Sequence, residues 1–109
     1  MHELAITESI LNQSLTEAKK HKAKSIKKIN LLVGEAVSVV PDCVQFYFDT
    51  LKKPTIAKDA VLEIKTVPLV IRCPNCKIQF KDLEAICKCQ AGIEIVSGQE
   101  LIIESLEIE

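Results

Sequence analysis

Hydrophobic positions near the start of the chain recur with a spacing close to 3.6 residues, the period of an α-helix. They are Leu4, Leu11, Leu15 and Ala18, with Ile10 at the edge of the stripe. The pattern predicts an amphipathic helix from Leu4 to about Lys20 that begins almost at residue 1. Lysines lie at and just beyond its end, where basic groups stabilise a helix through its dipole.

The pattern changes to strict alternation between Ser25 and Val33, which is typical of a strand with one buried face. Gly34 ends this strand, and Pro41 opens a second helix, because proline is tolerated at the first helical position. The apolar stripe of the second helix is formed by Val44, Tyr47, Phe48 and Leu51. Since this helix carries most of the aromatic side chains, we expect it to fill the core.

A further extended stretch runs from Val61 to Arg72. Pro68 within it predicts an edge position or a break, since proline donates no backbone hydrogen bond. Beyond the cysteines, the residues from Ile93 to Val96 and from Leu101 to Glu109 predict two more strands. Ser97-Gly98-Gln99 between them suits a hairpin turn.

These elements predict an α/β fold of the α+β type, with two helices on one face of a small mixed or antiparallel sheet of three or four strands. The extended pieces before and after the cysteines are expected to join this one sheet. The cysteine segment between them is expected to form an inserted, zinc-ribbon-like domain. The predicted domains are residues 1–69 plus 94–109 for the α/β part and residues 70–93 for the inserted part.

Four of the five cysteines fall in two close pairs, Cys73-Pro74-Asn75-Cys76 and Cys87-Lys88-Cys89, separated by ten residues. Two such pairs can bring four thiolates to one ion, which is the tetrahedral set of structural zinc. In the second pair only one residue separates the two cysteines, which is fewer than usual. This pair therefore supplies either two ligands or one. The alternatives are a disulfide, an iron–sulfur site, a C-x-x-C redox centre and thiols with no ligand role. A redox centre would open a helix, whereas the residues from Lys77 to Phe80 resemble the return arm of a hairpin.

Composition narrows the class of protein. The chain has 109 residues, 48% hydrophobic and 27% charged, with a formal net charge of −1. This length supports one compact domain or, as we favour, a small core with an appendage that needs its metal ion to fold. The mixed charges around the cysteines disfavour nucleic-acid binding. The odd fifth cysteine and the lack of a secretory signal or long apolar run predict a reducing cytoplasm and no membrane segment.

Catalytic patterns are lacking in the sequence. It has no Ser-His-acid set, no glycine-rich phosphate loop and no H-E-x-x-H helix, so we expect no enzymatic activity. His21 is interpreted as a solvated residue at a helix end. Cys43 is interpreted as a small core or half-exposed residue of the second helix and not as a nucleophile, since no histidine partner lies near it in the sequence.

His2 has a different environment because it adjoins the terminal amine of Met1. The amine, the amide nitrogen of residue 2 and the imidazole can close fused chelate rings around one ion. A planar set of nitrogens suits Ni(II) or Cu(II) and disfavours Zn(II), which prefers a tetrahedron. Glu3 would complete the set with its amide or carboxylate. From the residues alone, the alternative is a histidine that follows methionine by accident.

Several segments together resemble the HypA/HybF family of hydrogenase nickel-insertion proteins. They are Met1-His2-Glu3-Leu4, Gly34-Glu35, Val40-Pro41-Asp42 before an aromatic-rich helix, the two cysteine pairs, and Glu94-Ile95-Val96-Ser97-Gly98 before the last strand. The resemblance covers essentially the whole chain in order. It departs at the second cysteine pair, where the family usually has C-x-x-C. This departure leaves open whether Cys87 and Cys89 both bind the metal.

The resemblance implies a metallochaperone without enzymatic turnover. It would carry Ni(II) for maturation of the [NiFe]-hydrogenase large subunit, and in some organisms for urease, together with a HypB-type GTPase. The implied ligands are Met1, His2 and Glu3 for Ni(II), and Cys73, Cys76, Cys87 and Cys89 for structural Zn(II). We expect a monomer or a homodimer. The alternative function is a zinc-ribbon adaptor that binds other proteins and in which His2 has no role.

Overall fold

The computed structural model describes residues 3–80 and 92–109. Its helices are α1 (Glu3–Lys20) and α2 (Pro41–Leu51), with a short 3-10 turn at Glu35–Val37. Its strands are β1 (Ile26–Gly34), β2 (Val61–Val67), β3 (Val70–Arg72), β4 (Gln79–Phe80), β5 (Glu94–Ser97) and β6 (Leu101–Ile108). The predicted α+β class is therefore confirmed.

The first sheet has the strand order β2-β1-β6. β1 pairs with β2 in parallel and with β6 in antiparallel orientation, so the sheet is mixed, as expected. In this register, Ile29 of β1 lies between Leu62 and Leu106. Because β1 has a neighbour on both sides, it is the central strand and its apolar face is the middle of the core.

Both helices pack on the apolar face of this sheet and against each other. Ile29 and Leu31 of β1 are fully buried there with Val44 and Phe48 of α2, as the alternation in β1 and the stripe in α2 predict. Tyr47 is only half-buried. The core is thus filled chiefly from one side of α2 and the middle strand.

The buried stripe of α1 differs from the predicted one. Leu4 is 42% exposed, whereas Ile10, expected at the edge, is only 5% exposed. Two polar residues, Thr7 and Ser14, are fully buried in the same stripe. Their hydroxyls donate to the carbonyls of Glu3 and Ile10 at 2.6 and 2.8 Å, and this satisfies groups that would otherwise be costly to bury.

A second sheet has the order β4-β3-β5. The chain breaks between β2 and β3 at Pro68, as predicted, and β4 returns antiparallel to β3 to form the expected hairpin. The predicted hairpin between the last two strands is wrong, because β5 pairs with β3 and β6 pairs with β1. The expectation of one sheet is therefore also wrong. The division into two domains stays a prediction, with β5 at its boundary.

The chain crosses between the sheets at Gly98, and backbone contacts explain why a hairpin does not form. Gly98 has a φ of +108°, and a Cβ there would lie 2.6 Å from the Cα of Leu69. The Ser97 hydroxyl donates to the Pro68 carbonyl at 2.8 Å, and Ala36 N–H donates to the Gly98 carbonyl at 2.8 Å. These bonds hold residues 97–98 against other segments, so they cannot close a turn between β5 and β6.

Neither described helix combines the length and the apolar character that a membrane crossing requires.

Candidate metal centre

Of the three predicted nickel ligands, only Glu3 lies within the described residues, at the start of α1. Met1 and His2 are outside the described residues, and Glu3 is the first residue of the helix. The Glu3 carboxylate oxygen Oε1 accepts a hydrogen bond from the backbone N–H of Val40 at 3.3 Å. Val40 is the residue that caps the N-terminal end of α2. Glu3 therefore brings the starts of the two helices together.

The charge of Glu3 suits this position. The N-terminal end of a helix carries a partial positive charge from its backbone N–H groups, and a carboxylate there is stabilising. Val40 offers no capping oxygen of its own, and its N–H is directed at Glu3. The fold thus holds the carboxylate of the third predicted nickel ligand beside the second helix, immediately after Met1 and His2 in the chain.

The first cysteine pair lies directly after β3. Cys73 is buried and Cys76 is half-buried. The backbone N–H of Cys76 points to the Cys73 sulfur at an N···S distance of 3.5 Å. An N–H donated to sulfur favours the thiolate, which is the form of cysteine that binds metals.

A tight turn shapes the backbone around this pair. Lys77 N–H donates to the Cys73 carbonyl at 2.9 Å, and Cys73 N–H donates to the Ile78 carbonyl at 3.0 Å. Lys77 adopts a φ of +63°, in the left-handed region, which reverses the chain into β4. The turn returns the chain towards β3, and a helix does not follow it. This agrees with a metal-binding turn better than with a redox motif that opens a helix.

Cys87 and Cys89 lie outside the described residues. Within residues 3–80 and 92–109, no group of three His, Cys, Asp or Glu side chains is arranged to hold a metal ion. The described part of the chain therefore contributes one cysteine pair to the predicted zinc site and Glu3 to the predicted nickel site. The assignment of the other ligands stays a prediction.

An ion pair next to Cys73 was not identified from the sequence. Arg72 donates through Nε and a terminal nitrogen to Glu94 Oε2, at 2.9 and 2.6 Å. The Arg72 hydrogen bond holds the pKa of the Glu94 carboxyl below its usual value. The two residues face each other across β3 and β5. Only the strand pairing brings them together, so no local pattern could have found the pair.

The other two candidate residues lie apart from these sites. The His21 side chain is 63% exposed at the end of α1, where its Nε2 lies 3.5 Å from Glu17 Oε1. Cys43 is exposed on the first turn of α2. The position of His21 agrees with its interpretation from the sequence, whereas Cys43, expected to be in the core or half-exposed, is exposed.

Comparison with known proteins gives a consistent result. A family model described as hydrogenase/urease nickel incorporation, metallochaperone, HypA, matches residues 1–108. A hydrogenase maturation factor HypA of Dehalococcoides mccartyi is 42% identical, with 100% of this chain and 95% of the relative covered. A HypA of Archaeoglobus fulgidus is 33% identical, with 100% and 99% covered.

Solved structures agree with the family match. The solution structure of the Ni metallochaperone HypA from Helicobacter pylori superposes with a TM-score of 0.73 at 26% identity, covering 99% of this chain and 97% of that one. A second HypA solution structure gives a TM-score of 0.75 at 25% identity, with 100% and 97% covered. From the match over residues 1–108 and the identity to curated relatives, this chain belongs to the HypA family of hydrogenase maturation factors.

Proposed function

We propose that this protein is a nickel metallochaperone that binds Ni(II) at its N-terminus and delivers it during maturation of [NiFe]-hydrogenase, or of urease where that enzyme is the client. The observation that carries the proposal is the family match, which covers residues 1–108. It includes the Met1-His2-Glu3 segment and all four paired cysteines. The partners would be a HypB-type GTPase and the hydrogenase large subunit, in the cytoplasm.

The nickel ligands would be the amine of Met1, the amide and imidazole of His2, and a group of Glu3. Deprotonated amide nitrogen and imidazole suit the planar geometry of Ni(II). The hydrogen bond from Val40 to the Glu3 carboxylate supports the role of Glu3, because it holds the last of the three ligand residues in place. The chelate requires that Met1 is the first residue of the mature protein, which intact-protein mass spectrometry can verify.

The zinc ligands would be Cys73, Cys76, Cys87 and Cys89. The turn around the first pair supports this assignment, since its N–H···S bond favours thiolate. A site closed by four protein ligands has no open position for substrate and stabilises the fold outright. Zinc would therefore brace the cysteine segment, and the protein would transfer nickel without catalysing a reaction.

Transfer would proceed by ligand exchange. Ni(II) would pass from the GTPase to the amine, amide and imidazole nitrogens, and then to thiolates of the hydrogenase active site. Each nitrogen must lose or lack a proton to bind the ion, so affinity should fall in acid as protons compete for the amine and imidazole. Nickel release on mild acidification, with zinc retained, is the expected behaviour.

The test is calorimetric Ni(II) titration of the protein with its native N-terminus. His2→Ala should abolish tight nickel binding, because the imidazole and the chelate ring that it closes are lost. His21→Ala is the matched control, since His21 is the only other histidine and is exposed at the far end of α1. The circular dichroism spectrum of both variants should be unchanged. An unaltered titration curve for His2→Ala would contradict the nickel assignment.

The adaptor alternative predicts a different metal content. Elemental analysis of the purified protein, combined with the same titration, separates the two functions. One nickel and one zinc per chain support the metallochaperone. Zinc without nickel binding supports a zinc-ribbon adaptor, for which His2 is dispensable.

A further inference from the structure

The outer edge of β6 and the surface beside it form a separate feature. β6 stands at the end of the order β2-β1-β6, and in the described part of the chain it pairs only with β1. No described residue pairs with its other edge, which runs along a strand of eight residues with one register shift between Ile103 and Ser105. An exposed edge of this length is a template for an added strand.

A groove runs between α1 and β6 on the helix side of this edge. It consists of two adjoining cavities of about 460 and 250 Å3, both of which are lined by Gln13 and Ile103. Its apolar lining is formed by Ile6, Ile10, Ala18, Leu101, Ile103 and Leu106. Successive side chains of a strand point to opposite faces, so a strand added to β6 would direct every second side chain into this groove.

The charge of β6 selects the kind of strand that fits. The segment from Glu100 to Glu109 carries four carboxylates and no basic side chain. Glu107 is opposite Lys28, and Glu109 pairs with Lys27 at 2.9 Å. Glu104 is exposed beside the groove and has no ion pair with any described residue. A partner strand with basic side chains would supply the missing positive charge.

We propose that this edge is a docking site for an extended, lysine- or arginine-bearing segment of a partner protein, which adds to the first sheet as a fourth strand and buries its alternate apolar side chains in the groove. A second copy of this chain is a poorer occupant, because its own β6 would bring two more glutamates, and no basic side chain, to the same edge. The proposal does not depend on nickel binding, and its test uses no nickel.

The opposite edge of the sheet, β2, lacks these features. Gln45 of α2 donates to the Leu62 carbonyl at 2.5 Å, and Lys52 donates to the Ala60 carbonyl at 2.9 Å just before the strand. Gln45 of α2 and Lys52 just after it thus occupy backbone carbonyls at the start of this strand and just before it. Its exposed residues include Glu63 and Lys65, of opposite charge, so the edge has no preference for a partner of one sign. β2 therefore serves as an internal control.

The experiment uses the zinc-loaded, isotope-labelled full chain and an eight-residue peptide, the length of β6, that alternates lysine with valine. A peptide that alternates glutamate with valine is the control. We expect the basic peptide to slow hydrogen exchange of outward-facing amides in residues 101–108 and to leave β2 unchanged. The acidic peptide should bind at least about fivefold more weakly, given the energies of cross-strand charge pairs.

Two pairs of variants localise the interaction. Glu104→Lys should weaken binding of the basic peptide by about fivefold, because an attractive pair becomes repulsive. Glu8→Lys, the same charge change on the other flank of α1, should have no effect. Gln13→Trp should block the groove, whereas Asn12→Trp, its neighbour on that other flank, should not.

Several results would overturn the proposal. One is that the basic peptide does not bind at millimolar concentration. Another is that it binds Glu104→Lys and the unmodified chain with equal affinity. A third is that it protects the amides of β2 and not those of β6. A dimer of the chain alone in sedimentation experiments, with β6 amides already protected, would assign the edge to a second copy.

Discussion

Gly34, at the end of β1, lies against the Gly98–Glu100 segment that connects the two sheets. Its N–H donates to the Glu100 carbonyl at 2.6 Å, and a Cβ at this position would overlap the carbonyl group of Gly98. The backbone here has φ −71° and ψ 145°, which any residue can adopt. The requirement for glycine is therefore steric and comes from the opposing backbone, which has no side-chain rotation to relieve the overlap.

Gly34→Ala should destabilise the protein by about 3 kcal/mol, the upper part of the range for overpacking a close contact. Gly92→Ala is a useful control, because a Cβ at Gly92 would meet no atom of the described residues within 4 Å, and its positive φ of +85° disfavours alanine. Its cost should be about 1 kcal/mol. Urea unfolding followed by circular dichroism measures both values. Equal stability of Gly34→Ala and the unmodified chain would show that the backbone at Gly98 moves away from residue 34 at little cost, which would contradict the steric requirement for glycine.

The pairing of β3 with β5 is reinforced by Arg72 and Glu94. This ion pair is partly exposed, so it contributes chiefly to the register between the strands and less to overall stability. Because the pKa of Glu94 is lowered on folding, its contribution is present above the ordinary carboxyl value of 4.5 and is lost as the pH falls through the lowered value. Acid should therefore weaken the pairing of β3 with β5 in the second sheet.

Arg72→Ala should return the pKa of Glu94 towards 4.5, since the largest cause of the shift is the Arg72 hydrogen bond. Carboxyl carbon chemical shifts, followed by NMR across an acid titration, report this value directly. Lys28→Ala is the matched control, because Lys28 lowers the pKa of Glu63 in the first sheet in the same way. Lys28→Ala should raise the pKa of Glu63 towards its ordinary value and leave the pKa of Glu94 unchanged. A Glu94 titration that Arg72→Ala does not change would refute the stated cause.

The two sheets differ in what stabilises them. The first sheet and the helices share a continuous buried cluster that includes Ile29, Leu31 and Phe48. Among the described residues of the second sheet and its turn, only Ile71 and Cys73 are buried hydrophobic residues. Burial of apolar surface is the main favourable contribution to folding, and two such residues supply little of it. We therefore expect the second sheet to be the part of the molecule that depends on the proposed zinc ion.

Removal of zinc should loosen the second sheet and spare the first. Cys73→Ser should lose zinc and the hydrogen-exchange protection of Ile71, while amides of β1 stay protected. Cys43→Ser, which changes an exposed cysteine on α2, should keep both metal and protection. Zinc content by elemental analysis and exchange measured by NMR provide the readouts. Retention of one zinc per chain by Cys73→Ser would exclude Cys73 as a ligand.

Local patterns were sufficient for much of the fold. The bounds of α1, β1 and α2, the break at Pro68 and the hairpin after Cys73 agree with the predictions. Each depends on short-range sterics and on the apolar period of a single element, which neighbouring residues specify. The first half of the candidate zinc site could be predicted for the same reason, because a C-x-x-C turn is built from consecutive residues.

Strand partnership and the contacts between elements required the tertiary structure. β5 and β6 join different sheets because backbone segments meet at Gly34, Gly98 and Leu69, a contact between residues far apart in sequence. The same long-range packing brings Glu3 to Val40, at the start of α2. Hydrophobic periodicity fixes which face of an element is buried, but it carries no information about which backbone lies opposite.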